Sequence, residues 1–250
     1  MSKELENKEI GADLCKLSAL LQTYKLCGNI DPLQKAGSYC LATATENKWG
    51  YTLEKIVFIA DEVGGRMAAD TTDITVSLTI DIEGTVQESN DIYNPLKKLF
   101  FDIEIDGWRV NSSINDLDFV YSAWHLDRHL IELGGLKTKY SHPLYHFAFG
   151  GEKMEAKGHD IYGNSIILPS PRLLYPPMDA VLGIDFILQN YIHKDQIQPL
   201  VEDPEYIEIV KKAQERIWKP FFCAMYSYWN KGAYNVDSNF TPLMLFPLYY

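Results

Sequence analysis

No stretch of about 18 consecutive apolar residues occurs in the sequence, so no membrane-spanning helix is expected. Basic residues are few: 23 Lys and Arg stand against 34 Asp and Glu, a formal net charge of −11. A chain this acidic repels phosphate backbones at long range, which disfavours a protein that coats nucleic acid but leaves room for a small basic pocket. Cysteine is sparse and scattered. Cys15, Cys27, Cys40 and Cys223 form no C-x-x-C pair, which excludes the common zinc-ligand patterns and a disulfide framework. Free thiols in a reducing cytoplasm are the expectation, and the charged opening MSKELENKEIGADL carries no signal-like apolar run. The phosphate-loop, dinucleotide-fingerprint and G-x-S-x-G patterns are all missing. Gly64-Gly65, Gly134-Gly135 and Gly150-Gly151 read as turn dipeptides. Nucleotide-driven motors, Rossmann dehydrogenases and serine hydrolases therefore have no support.

What is present is ordinary globular composition, 46% hydrophobic and 23% charged, with a periodicity that changes along the chain. Leu14, Leu17, Leu20, Leu21 and Tyr24 have helical spacing within residues 3–26, and Gly28 follows as a stop. Asp31-Pro32 predicts a capped second helix running to about residue 46. YTLEKIVFIA (51–60) fits strand or helix. Leu78, Ile80 and Ile82 then alternate with Thr79, Asp81 and Glu83, while Phe101, Ile103 and Ile105 alternate with Asp102, Glu104 and Asp106. These are period-two strands, each with one apolar and one acidic face. VYSAWHLDRHL, HPLYHFAFGG and NSIILP follow as candidate strands. Helical spacing returns after residue 175, first from Tyr175-Pro176-Pro177 to about Tyr191. A second helix starts at Asp203-Pro204-Glu205, and Pro220 should end or kink it. Helices, then strands, then helices predict one α+β domain over 1–250 with a central antiparallel sheet. Its helical N-terminal part spans 1–46, its sheet 51–170 and its helical C-terminal part 175–232.

The charge is concentrated. Residues 61–120 hold thirteen acidic side chains against four basic ones, a net −9 of the total −11. Pairing of the two acidic strands would place Asp81 and Glu83 near Asp102, Glu104 and Asp106, where directly opposed like charges destabilise a sheet. Solvent, a divalent cation or the basic surface of a partner protein would compensate. The apolar end TPLMLFPLYY either packs as a final strand or is presented to a partner or a second copy.

Five of the six histidines lie between residues 125 and 159: His125, His129, His142, His146 and His159. In a strand, His125, Asp127 and His129 share one face, and so do His142 and His146 in the next. A hairpin would gather all five side chains, a donor set suited to Zn or Mn and to hydrolytic water activation. A helix over 121–131 would also align His125 with His129, but the glutamate of H-E-x-x-H is absent. The competing reading is a structural cluster in an aromatic-rich core. His159 reads as a loop residue and His193 as a helix end. Arg172, on the proline-bracketed loop LPSPRLLYPP, would either clamp a phosphate or form a structural ion pair.

WHLDRH, HPLYHFAFGG, ILPSPRLLYPP and MDAVLGIDFILQN together resemble uncharacterised bacterial proteins of mobile and defence-type gene neighbourhoods, over about residues 120–195. That resemblance implies a role in defence and no assigned activity. The HP, glycine-rich turn and following helices are also similar to ubiquitin-conjugating folds. Residues 143–222 contain no cysteine, however, so that activity is not implied. Two functions are carried forward. The first is an interaction or regulatory subunit using the acidic face and the apolar tail. The second is a metal-dependent phosphodiesterase or nuclease in which His125, His129, His142 and His146 bind metal. In that reading Asp127 ligates or orients, and Arg172 holds the phosphate.

Overall fold

A computed structural model describes residues 3–43, 48–60, 71–85, 91–111, 116–129, 142–157, 161–162, 165–166 and 172–248. Two helices open the chain, α1 (Lys3–Thr23) and α2 (Asp31–Ala42). The first turn-away comes at Lys25, with φ 55°, rather than at Gly28. Asp31 is the first residue of α2 rather than its cap. The Asn29 side chain accepts from the Asp31 N–H at 3.0 Å, and Pro32 occupies the first turn, where its missing N–H costs nothing.

Four long strands follow: β1 (Lys48–Ile59), β2 (Thr71–Thr85), β3 (Leu96–Asn111) and β4 (Asp116–Arg128). β1 settles the undecided 51–60 segment, and β4 excludes a helix over 121–128. β5 (Tyr145–Phe149) comes next, and Gly150 and Gly151 leave it at φ 89° and 84°, where a side chain would be strained. A one-turn helix, α3 (Glu152–Glu155), folds back beneath β4. β6 (Ile161–Tyr162) and β7 (Ser165–Ile166) pair with each other, so the described residues of NSIILP, Ser165 and Ile166, belong to this small hairpin and not to the main sheet. β8 (Leu173–Leu174) closes that sheet, whose order is β1-β2-β3-β4-β5-β8, antiparallel at every pairing.

The C-terminal helices are α4 (Ala180–Tyr191), α5 (Lys194–Val201), α6 (Pro204–Ala213), α7 (Lys219–Tyr226) and α8 (Pro242–Leu245). The first of these starts five residues after Tyr175, because Asp179 caps it by accepting from the Leu182 N–H. Asp203 caps α6 as the sequence predicts. Pro220 does not break the helix: a π turn over Gln214–Trp218 precedes it, and the proline falls in the first turn of α7. The apolar C-terminal segment forms α8 rather than a strand. Leu245 is buried there, the Met244 carbonyl accepts from the Leu144 N–H, and Leu243 and Leu248 stay exposed.

The sheet divides the molecule. On its inner face Val76, Leu78, Ile80, Ile82, Phe101, Ile103 and Leu126 belong to one continuous apolar core, in which α4 lies against β2, α1 and α2 lie against β1, and α6 packs on α1 and α4. A buried ion pair crosses this core, with Arg216 donating to Asp179 at 3.0 Å. The outer face carries the acidic residues and continues into the histidines, since Asp102 on β3 pairs directly with His125 on β4. Among the described residues no helix is long and apolar enough to cross a membrane.

Candidate metal centre

The register of β2 against β3 decides how the acidic residues meet. Asp102, Glu104 and Asp106 stand opposite Thr79, Ser77 and Thr75, while Asp81 and Glu83 stand opposite Phe100 and Lys98. The carboxylates share the outer face but are not directly opposed, so the expected like-charge pairs do not form. Hydroxyls and lysines are interleaved instead. Thr75 donates to Asp106 at 2.7 Å, and Lys55 lies 3.7 Å from the same carboxylate. Lys98 pairs with Asp81 across the strands, and Arg109 with Asp118 at 3.1 Å. Lys153 of α3 reaches both Asp102 and Glu104 at 2.8 Å, while the Tyr121 hydroxyl donates to Glu104 at 2.7 Å. Burial pushes the Asp102 carboxyl above its ordinary range against the pull of Lys153. Burial also raises Glu104, but its bonds from Lys153 and Tyr121 outweigh that and hold it below its ordinary value. Compensation of the acidic strands is therefore largely internal.

The same face runs on through β4 and β5. Asp127 is the direct cross-strand partner of His146, and side chains of one parity place His125 beside Asp127. His125 Nε2 lies 3.5 Å from Asp127 Oδ2, and His146 Nε2 lies 4.0 Å from it. One donor atom from each of these three residues falls within 4.8 Å of the others. His142 Nε2 approaches His146 Nε2 at 3.4 Å. The His129 ring stacks on His142 at a centroid distance of 4.0 Å. All four histidines and the aspartate named from the sequence thus converge, whereas His159 lies outside the described residues. So do Asp61, Glu62, Arg66, Asp70, Glu88 and the Gly64-Gly65 and Gly134-Gly135 dipeptides.

The environment favours the neutral form of His129, His142 and His146. Burial first, then the neighbouring His142 and Arg172 charges, brings His146 down to about 3. Burial with His129 and Arg172 brings His142 down to about 4. His129 is lowered more modestly, again mainly by burial. Burial raises Asp127, with His125 opposing and Asp102 reinforcing that rise. Neutral imidazole is the ligating form of histidine, so these nitrogens are available as donors at neutral pH. Arg172, just before β8, acts electrostatically on Asp127, His129, His142 and His146, and among the described residues it forms no ion pair.

Two features of the site were not read from sequence. Lys153 anchors α3 over the face, and Gly151 fits where a Cβ would come within 3.0 Å of the His125 ring. The Gly-Gly after HFAF was legible as a turn, but its backing of His125 depends on how the chain returns. No family model, curated protein or solved structure matches the chain, so the site rests on its own geometry.

Proposed function

We propose that this protein is a metal-dependent hydrolase of phosphate esters, with Zn²⁺ or Mn²⁺ held by His125, Asp127 and His146. One observation carries the reading: two imidazoles and one carboxylate converge from two paired strands with donor atoms within 4.8 Å of one another. Ligand atoms about 2.0–2.1 Å from a tetrahedral Zn²⁺ lie roughly 3.3 Å apart, so the 3.5 Å His125–Asp127 spacing needs little closure. Three protein ligands leave a coordination position open, which distinguishes catalytic from structural zinc sites. A divalent ion there would lower the pKa of a bound water toward neutrality. His142 Nε2 lies 3.4 Å from His146 Nε2, which brings a further imidazole to the proposed centre. Arg172 supplies the fixed positive charge that would hold a phosphate. In the proposed reaction the water oxygen would bond to phosphorus as the ester P–O bond breaks, and the proton lost by the water would pass to the departing alkoxide.

The test uses protein purified without a histidine tag. Stoichiometric Zn²⁺ or Mn²⁺ uptake is expected by mass spectrometry after dialysis, together with metal-dependent cleavage of bis(p-nitrophenyl) phosphate. H125A and D127N should abolish both. Absence of uptake by the unaltered protein overturns the reading.

A second reading, an interaction subunit of a defence-type complex, is favoured by a different surface. Phe222, Tyr226, Trp229, Tyr234 and Leu243 are exposed on α7, α8 and the segment between them. Aromatic residues of this kind are enriched where protein surfaces meet. Self-association weakened by W229A would support it, and a strictly monomeric protein over a wide concentration range would count against it. A reducing cytoplasmic setting is proposed on the same footing, because all four cysteines are free.

A further inference from the structure

We infer that Glu152 sets the substrate class of the metal centre by charge, favouring phosphodiesters, which carry one negative charge, over phosphomonoesters, which carry two. The inference rests on the metal-centre reading and names the kind of ester such a centre would cut.

A glycine turn brings Glu152 to the histidines. Gly150 and Gly151 leave β5 at positive φ, and the Gly150 N–H donates to the Ala123 carbonyl at 2.9 Å, which lays the chain back along β4. Gly151 packs on the His125 ring, since a Cβ there would lie 3.0 Å from His125 Cε1. Glu152 is the next residue, one Cα step of about 3.8 Å further on. From there α3 runs along β4 away from the histidines. Met154 is buried with Tyr121 and Ala123, and Lys157 lies 3.7 Å from the Tyr121 ring centroid. These contacts, with Lys153 on Asp102 and Glu104, fix α3 and leave Glu152 at its histidine end. Glu152 is exposed and forms no ion pair among the described residues. Burial is the main cause of the raised Asp127 carboxyl, and the Glu152 charge adds to it, so the two carboxylates feel one another.

The charge balance follows. Asp102, the other carboxylate felt at Asp127, is paired with Lys153 at 2.8 Å. Asp127 and Glu152 bring two negative charges, against two positive charges on a divalent ion and one on Arg172. One positive charge is left over, which the monoanion of a diester matches. A monoester dianion exceeds it and is repelled by Glu152, the exposed member of the set. Diester cleavage itself makes a monoester. As water attacks phosphorus and one ester P–O bond breaks, one water proton leaves on the alcohol and the other stays on the new phosphate oxygen. That second proton, with a pKa of about 6, passes to solvent at neutral pH. Glu152 then favours release of the dianionic product over a second cleavage.

The test compares kcat/KM for methyl p-nitrophenyl phosphate and p-nitrophenyl phosphate, which share a leaving group and differ by one charge at pH 8. Metal-loaded protein is used at low salt, where charge effects are least screened. The unaltered protein should prefer the diester. E152Q should hold as much metal and lower the diester-to-monoester ratio roughly fivefold, mainly by raising the monoester rate. E155Q removes another exposed charge three residues further along α3 and should leave the ratio within about twofold, which separates local selection from the general acidity of the chain. Preference of the unaltered protein for the monoester, an unchanged ratio in E152Q, or an equal shift in E155Q overturns the inference and leaves the metal centre standing. Absence of metal-dependent cleavage of either ester overturns both.

Discussion

Replacing Lys153 with methionine separates the two roles of the outer face, its stability and its charge. The ammonium sits 2.8 Å from both Asp102 and Glu104, and the three side chains are 35%, 6% and 19% exposed. Hydrogen bonds to charged groups contribute roughly 1.5–3 kcal/mol each, and a lysine one-third exposed must be discounted for solvent screening. Glu104 keeps its bond from Tyr121 and loses little. Asp102 is left almost fully buried without its cation, and a loss of about 2 kcal/mol at neutral pH follows, mostly from that residue.

The pH dependence gives the sign. Burial already raises Asp102, and removing Lys153 raises it further. A carboxyl whose folded pKa lies above its unfolded value destabilises the fold once ionised, and does not do so when protonated in both states. The K153M penalty is therefore full at pH 7.5 and shrinks as pH falls through the Asp102 titration. Urea denaturation at pH 7.5 and 5.0 measures this, and K153M/D102N should recover more than half of the loss. A penalty below about 0.5 kcal/mol at pH 7.5, or a double variant no more stable than K153M, would refute the buried-charge argument.

R216M should cost about 3–5 kcal/mol in a denaturant titration, because it strands Asp179, whose side chain is 2% exposed; adding D179N should recover part of this while still losing the α4 cap. G183A should destabilise by roughly 1–3 kcal/mol, since a Cβ there would lie 2.5 Å from Phe101 Cε2 and 3.1 Å from Leu78 Cδ2 in the packed core. Metal-free protein should lose stability as pH falls below about 6.5. His146 and His142 are held at about 3 and about 4, so between those values and 6.5 the unfolded chain binds more protons. For buried His146 the slope is at most about 1.4 kcal/mol per pH unit, and H142Q should flatten the overall profile in EDTA without changing stability above pH 7.

The α+β order was legible because alternation survives in β2 and β3, where one face is apolar and the other acidic. The histidine cluster was legible in part for the same reason: parity puts His125 and Asp127 on one face of β4 and His142 and His146 on one side of the β5 segment, and the Asp127–His146 register brings the two sets to the same face. What escaped is what parity does not specify. Whether Asp102 meets Asp81 or Thr79 depends on a two-residue shift in register, and the loops and bulges that set it are not visible in composition. β1 was ambiguous because a short apolar run has no face, and α5 was missed because Pro199 within it reads as a breaker. Lys153 lies on a four-residue helix whose placement is tertiary from the start.

The net −9 of the acidic segment therefore describes the segment and not the surface it forms. Asp81, Asp102, Glu104, Asp106 and Asp118 each have an ammonium or guanidinium within 4 Å, three of them supplied by lysines from elsewhere in the chain. A basic partner docking on this face would have to displace partners already in place, which weakens the case for such docking. Asp127 differs, because its ion-pair contacts within that distance are the imidazoles of His125 and His146. Burial holds the His146 ring neutral, so it offers a lone pair rather than a proton. The carboxylate and the imidazoles of the proposed metal site therefore meet at that aspartate. D127N is accordingly expected to cost metal affinity while sparing the fold, the reverse of K153M, and parallel loss of both properties in D127N would break the link between charge compensation and metal binding.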